Sequence, residues 1–301
     1  MPQRQTLIEV IAAGYRSINR QPWLIGIPAL LNLYLWWSAP LHIGSSWPRL
    51  QSWLAAGARM ISGDRRMQEA LVQQIVGGDA RLQFAWLNLV PVWAPGVGRT
   101  AHEFAGPWQL LAALLLINGI TLFLSGLFLA QLAAALQDNR LTPVRLLKAT
   151  LVVLRRILLA LLALLGIGLL LALPFLAISL LLIAAVPGAA LPVLIAWYIV
   201  LFWAYVYIGL TPEAIVLSQA GPLRAIYNSV NIVRRDLGGT LGLLFVSYVI
   251  ANGLTVVWYR ISDGLAGLII AIVGSAYIGS GLSAARLMFY QERLRHWRSL
   301  G

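Results

Sequence analysis

The residue types that most often carry catalysis are scarce in this chain and far apart. Ten acidic residues, three histidines and no cysteine are spread over 301 positions. His42, His102 and His296 are too widely separated in sequence to form a pair with metal-ligand spacing. Without cysteine there is no thiolate nucleophile, and no His-Glu-x-x-His, Gly-x-Ser-x-Gly or phosphate-binding loop is present. We therefore predict a protein that is not an enzyme and has no catalytic residues, no metal site and no cofactor.

Basic residues are the charged groups that follow a pattern. The net charge is +12, and the basic residues gather at the ends of apolar runs, which favours membrane orientation and anionic lipid headgroups over nucleic acid as the partner. The predicted headgroup and interface residues are Arg16, Arg20, Arg145, Lys148, Arg155, Arg156, Arg224, Arg234 and Arg235.

Two charged residues stand close to the ends of apolar runs. Glu213 follows one run in the sequence Thr211-Pro212-Glu213, where the helix dipole favours a first-turn acid. A proton or substrate role for Glu213 is the alternative. Arg286 falls at the end of the last run, where its long side chain reaches the interface.

The composition indicates lipid as the surroundings of these residues. The chain is 60% hydrophobic and 11% charged, with a mean hydropathy of +0.80, whereas soluble domains carry about 25% charged residues. A spanning helix needs about 20 mainly apolar residues. We predict an all-α integral membrane protein with six transmembrane helices, over about 22–41, 108–136, 157–186, 191–210, 237–258 and 265–288.

The short connections between the apolar runs predict the orientation. Residues 137–156 and 211–236 and the C-terminal tail are basic, whereas 187–190 has no charge. The positive-inside rule then places both termini in the cytoplasm, and we expect the bacterial cytoplasmic (inner) membrane.

The long segment 42–107 is predicted to be extracytoplasmic, because long loops contribute little to the rule even though this one carries several arginines. Apolar spacing predicts an amphipathic helix over 47–61 and a second helix that begins at Asp64. Residues 82–93 are apolar but too short to span, so they are either interfacial or packed on the bundle.

Three amphipathic stretches, each followed by a pair of spans, predict an internal repeat. Thr6 and Glu9 fit a capping box, and Thr142-Pro143 and Gly221-Pro222 are helix starts with proline at the first position. When Arg20, Arg156 and Arg235 are superposed, each unit reads as an amphipathic surface helix followed by two spans.

Several features inside the spans have two interpretations. A ridge of small residues recurs every four positions, at Gly267, Ala271, Ser275, Gly279 and Ser283. It allows close helix packing, either within the bundle or with a second copy or another subunit. Trp197, Phe202 and Trp203 indicate either bulky core packing or a groove for a lipid chain, quinone or pigment. The polar residues Asn32, Asn118, Gln131 and Asn252 indicate hydrogen bonds between helices rather than a transport path.

Three segments carry a resemblance to a bacterial group. GYRSINRQPWLIGIPALL at 14–31, TPEAIVLSQAGPLRAIYNSVNIVRRDLG at 211–238 and MFYQERLR at 288–295 resemble six-span proteins similar to the membrane domain of glycerophosphodiester phosphodiesterases. In some members a catalytic barrel is attached. Such a barrel needs about 200 residues or more, so the resemblance implies the membrane part alone and not the phosphodiesterase activity.

The sequence therefore favours a non-enzymatic integral membrane protein that acts as a scaffold, an accessory subunit or a lipid-contacting regulator. The alternative is a transporter or exporter of a small or lipidic solute. Membrane lipids are the expected partners, with other membrane protein subunits or a second copy of the chain as further ones.

Overall fold

The computed structural model describes residues 5–43, 48–61, 65–93, 100–104, 106–138, 142–186 and 188–298. Its helices are α1 Leu7–Arg20, α2 Gly26–Trp37, α3 Pro48–Ile61, α4 Arg65–Val76, α5 Ala80–Gln83, α6 Pro107–Leu136, α7 Pro143–Ala185, α8 Ala190–Ile208, α9 Thr211–Ser218, α10 Pro222–Arg235, α11 Leu237–Ile261 and α12 Leu265–Arg298. A 3-10 turn, Pro22–Ile25, joins α1 to α2. Two short parallel strands, β1 Leu41–His42 and β2 His102–Glu103, pair with each other. The predicted all-α class is confirmed.

Five helices are long and apolar enough to cross a membrane in the part of the chain that the structure describes. They are α6, α7, α8 continued by α9, α11 and α12. The protein is therefore a multi-pass helical membrane protein. The stretch 22–41 differs from its prediction, because it forms a 3-10 turn and a helix of 12 residues. Such a helix is about 18 Å long, less than the roughly 30 Å of a hydrocarbon core, so a sixth span stays a prediction.

The three amphipathic stretches begin at the predicted residues. Thr6 and Glu9 form the reciprocal capping box, and Pro143 and Pro222 open α7 and α10. The second stretch, however, is not a separate helix, because α7 runs without a break for 43 residues. No residue there turns the backbone, whereas Gln21 after α1 and Asp236 after α10 do so with nearly the same angles (φ −138°, ψ 69° and φ −136°, ψ 60°).

Each amphipathic stretch packs on a spanning helix through a small residue eight positions after its N-cap. A Cβ on Gly14 of α1 would lie 2.6 Å from the backbone nitrogen of Ala285 in α12. Thr150 of α7 lies against Gly126 of α6. The Ser229 hydroxyl of α10 donates to the Tyr207 carbonyl (2.7 Å) at the end of α8. In all three cases the chain backbones approach closely because the residue at the crossing is small.

The first and last described helices meet along their length. The Gln5 amide donates to the Glu292 carboxylate (3.3 Å), and the Arg293 guanidinium donates to the Gln5 carbonyl (3.5 Å). Val10 of α1 belongs to the main apolar core, together with Phe289 and Tyr290 of α12. The amino-terminal end of α1 therefore lies beside the carboxyl-terminal part of α12.

The segment between α2 and α6 contains the predicted helices. The helices expected over 47–61 and after Asp64 are confirmed as α3 and α4, although Trp47 and Asp64 lie outside the described residues. After them, a buried arginine fastens the chain to the end of α2: Arg81 pairs with Asp79 (2.6 Å) and donates to the Leu35 carbonyl (3.2 Å). This anchor fixes the point at which the chain turns into the bundle.

Candidate functional site

Residues 84–93, hereafter the inner loop, run without helical structure between α6 and α12. Side chains of α6 form hydrogen bonds with the backbone of the first half of the inner loop. Asn118 accepts from the Leu87 amide (3.2 Å) and donates to the Phe84 carbonyl (2.6 Å). Further along, the Ser125 hydroxyl accepts from the Leu89 amide (2.7 Å). Without these side chains the Leu87 and Leu89 amides would be unpaired inside an apolar bundle.

The inner loop returns along α12 and α2. Pro91 lies against Gly279, where a Cβ would collide with the proline ring. The Asn32 side chain accepts from the Trp93 amide (2.8 Å) and donates to the Ser275 hydroxyl (3.1 Å). One amide side chain thus joins the inner loop, α2 and α12.

The inner loop reaches deep into the bundle. Ser125 lies 18 residues along α6 from Pro107, which corresponds to about 27 Å at 1.5 Å per residue. Non-helical backbone at such depth is stable only where protein buries it or where it lines a cavity. The sequence left residues 82–93 as either interfacial or packed on the bundle, and the second alternative describes the structure.

A cavity of about 760 Å³, hereafter the large cavity, lies beside the inner loop. Its walls come from the inner loop, α6, α7, α8, α9, α11 and α12 and are mostly apolar, with Leu164 of α7 and Leu244 of α11 as examples. Tyr205 of α8 and Tyr248 of α11 also line it, and they are 58% and 66% exposed. The large cavity therefore opens sideways between α8 and α11, on the apolar surface of the bundle.

One end of the large cavity is polar. Glu213 of α9, only 5% exposed, lies 2.7 Å from the Nε atom of Arg286 in α12. The hydrogen on Nε does not point at this oxygen, so the contact is an ion pair rather than an aligned hydrogen bond. Arg286 also donates to the Gly209 carbonyl (2.5 Å). The pair brings opposite charges from two elements to one wall.

Three buried oxygens at the large cavity have no hydrogen-bond partner within the described protein. They are the second carboxylate oxygen of Glu213, the Thr211 hydroxyl and the Ser247 hydroxyl. A buried polar atom without a partner costs about 1–3 kcal/mol. A hydrogen-bond donor that reached these oxygens would remove this cost.

The sequence indicates an interfacial side chain for Arg286 and a helix-start acid, with a proton or substrate role as the alternative, for Glu213. Nothing in the sequence predicts that the two residues pair. The available signal was an arginine inside the last apolar run together with a Thr-Pro-Glu motif directly after another. A pairing across 73 positions needs the fold to become visible.

The predicted basic residues mostly lie on the surface of the bundle. Eight of the nine are exposed and Arg156 is half-buried. Arg235 lies over the ring of Trp297, 4.8 Å from its centre. Lys148 and Arg156 line a second, smaller cavity, to which Arg145 and Arg155 do not contribute.

The small-residue ridge of α12 contacts this same chain. Ala271 is fully buried, Ser275 bonds Asn32, Gly279 meets Pro91 and Ser283 lines the large cavity. Gly267 lies close to the Ile261 carbonyl at the turn before α12. These contacts fit the packing interpretation of the ridge, while contact with a second copy or another subunit stays a prediction.

The residues of the predicted aromatic groove contact α7 and one another, and the groove itself stays a prediction. Trp197 packs edge-on against Phe175 at 4.6 Å and donates to Ser179 (3.2 Å), so it joins α8 to α7. Phe202 and Trp203 pack against each other and are partly exposed. None of the predicted three lines the two cavities described here, to which α8 contributes Tyr205 and Ile208 instead.

Fold and cavity together define the class: a multi-pass helical membrane protein with a partly polar cavity among its spans. Comparisons with family models, curated proteins and solved structures found no match to the chain.

Proposed function

We propose that this protein is a non-enzymatic integral membrane protein that binds an amphiphilic molecule, such as a lipid, in the large cavity. The observation that carries the proposal is the combination of an apolar cavity open towards the lipid side with a buried polar end at Glu213, Arg286 and Thr211. This makes the lipid-contacting role the preferred one among the functions that the sequence favours.

The size and chemistry of the large cavity support this proposal. Its volume falls in the range of about 300–1,000 Å³ typical of small-molecule sites. The ion pair leaves this end with no net charge, and the unpaired oxygens there would be stabilised by a hydrogen-bond donor. A ligand with a hydroxyl or amine head and an apolar body therefore fits better than an anion.

Transport of a small or lipidic solute is the second candidate function. The observation that favours it is the inner loop, because broken or irregular backbone beside a cavity with ionisable side chains is characteristic of transporters. Flux of the retained molecule across reconstituted vesicles would distinguish transport from binding alone.

We expect the large cavity to retain its ligand through purification, and one substitution to expel it. Ala251→Trp places an indole in the cavity wall, so the amount of amphiphile that mass spectrometry detects after mild-detergent extraction should fall about tenfold. Ala204→Trp is the matched control, because Ala204 is equally exposed on α8 but does not line the cavity. Glu213→Gln should also weaken retention, since it removes the charge that balances Arg286.

Equal retention in Ala251→Trp and in the control would contradict binding in the large cavity. Stoichiometric co-migration of other polypeptides, with no retained amphiphile, would instead favour the scaffold or accessory-subunit role.

The chain is further proposed to contain six crossings in three repeats, as in the bacterial six-span proteins that it resembles. Two features support this. The small residues Gly14, Thr150 and Ser229 occupy the same position in their amphipathic stretches, and each packs against the second span of the preceding unit: α12, α6 and α8 respectively. The unit that precedes the first is the third, so the contacts follow a closed ring.

The N-terminal elements support a sixth crossing. α1, the 3-10 turn and α2 lie in succession along α12, from Glu292 to Leu268. With α1 as the surface helix of the first unit, the 3-10 turn and α2 supply the crossing itself.

A topology measurement tests this proposal. Because the sequence contains no cysteine, an introduced cysteine is the only thiol that can react. In spheroplasts, single cysteines introduced at Gln5 and Arg295 should react with a membrane-impermeant thiol reagent only after the inner membrane is permeabilised. The reason is that both termini are proposed to be cytoplasmic. A cysteine at Gln74 of α4 should react in intact spheroplasts. Opposite accessibility of Gln5 and Arg295 would mean an odd number of crossings.

A further inference from the structure

A cavity of about 290 Å³, hereafter the small cavity, lies where α6, α7 and α9 meet. Four polar side chains line it: Gln137 at the end of α6, Lys148 and Arg156 on α7, and Gln219 at the end of α9. The rest of the lining is apolar, with Val152, Val153 and Ile215 among it. The small cavity therefore combines a polar rim with an apolar floor.

The polar rim is suited to an anion. Lys148 and Arg156 are cations, the two glutamine amides supply further N–H donors, and the described lining includes no carboxylate. Helices α6 and α9 both end here, and each helix end carries roughly −0.5 charge. These two ends together balance only about half of the charge on the two cations, so the small cavity stays positive.

We propose that the small cavity binds the phosphate group of an anionic phospholipid. Lys148 and Arg156 bind the phosphate oxygens through charge-assisted hydrogen bonds, the two glutamines donate to the remaining oxygens, and the apolar floor receives the start of an acyl chain. Of the nine basic residues predicted to contact lipid headgroups, Lys148 and Arg156 form this proposed site. This proposal does not depend on the ligand of the large cavity, which shares only Ile215 with the small one and has no excess charge.

The same helix provides a control with matched charge. Arg145 and Arg155 are exposed neighbours on α7 that do not line the small cavity. A double substitution at either pair removes two positive charges, so general attraction to an anionic surface falls equally in both variants.

Native mass spectrometry of the full-length protein, titrated with phosphatidylglycerol and separately with phosphatidylcholine, tests the proposal. Wild type should retain phosphatidylglycerol in preference. In Lys148→Gln with Arg156→Gln its affinity should fall about tenfold or more, because both charge-assisted hydrogen bonds to the phosphate are lost. Arg145→Gln with Arg155→Gln should bind nearly as wild type does.

A charge-preserving variant keeps the test valid if the double variant folds poorly. Lys148→Arg with Arg156→Lys should retain phosphatidylglycerol. Equal losses in the two glutamine variants would overturn the proposal, because the attraction would then be diffuse surface charge. Inorganic phosphate that displaces the lipid at low concentration would overturn the lipid part and identify a site for free phosphate.

Discussion

Gly14→Ala is expected to destabilise the protein by about 3 kcal/mol, although alanine is the better helix former. The new Cβ would lie 2.6 Å from the Ala285 amide nitrogen and 2.7 Å from the Gly281 carbonyl oxygen. Both are backbone atoms of α12, so no rotamer change relieves the collision, and α1 must move away. The thermal transition in detergent should fall, and trypsin should cleave faster after Arg16 and Arg20.

Gly166→Ala is the matched control for this prediction. Gly166 lies inside α7, and a Cβ added to it would meet nothing within 4 Å. The substitution should leave stability unchanged or raise it by up to about 1 kcal/mol through helix propensity. If both variants melt alike, the close approach of α1 to α12 does not contribute to stability.

Asn118→Leu is expected to cost about 1–3 kcal/mol. The substitution keeps the number of side-chain heavy atoms but leaves the Leu87 amide without its partner, whereas the Phe84 carbonyl keeps its bond from the Trp86 amide (2.8 Å). The inner loop should loosen, so hydrogen exchange of residues 84–93 should rise well before global unfolding. Because the inner loop lines the large cavity, retention of the amphiphile should fall as well.

Asn252→Leu is the control, because the side-chain hydrogen bond that it removes does not involve the inner loop. Asn252 also interrupts an apolar run, but it is exposed and donates to the Tyr248 carbonyl of its own helix (2.9 Å). Its replacement should change stability by no more than about 0.5 kcal/mol. Unchanged exchange of residues 84–93 in Asn118→Leu would show that the backbone of the inner loop does not need this side chain.

Local patterns in the sequence predicted the elements that depend on local physics. Long apolar runs became long helices, the Thr6 and Glu9 capping box formed, and Pro143 and Pro222 opened helices as expected. These features follow from residues within one or two turns of one another, which a single sequence contains in full.

Contacts between distant positions could not be predicted. The stretch 22–41 is long and apolar enough for a span. The chain nevertheless turns at Gln21 and continues as a 3-10 turn, so only the part from Gly26 onwards forms α2. The inner loop is apolar but too short to span, so the sequence alone also allows it to lie at the membrane interface. The side chains that bond its backbone, Asn118 and Asn32, belong to other helices, and the sequence does not show that they meet it. Glu213 and Arg286 likewise form one wall only when α9 packs on α12.

The contact of α1 with α12 also fixes the order in which the new protein can be completed. Gly281 follows Gly14 by about 270 residues, which a ribosome takes roughly 15–50 seconds to add at about 5–20 residues per second. During this time α1 has no partner for its apolar face, and its amphipathic pattern lets it rest at the membrane surface. The contact between α1 and α12 therefore forms only after α12 has been synthesised. A chain that stalls before α12 exposes this face to the quality-control proteases of the cell.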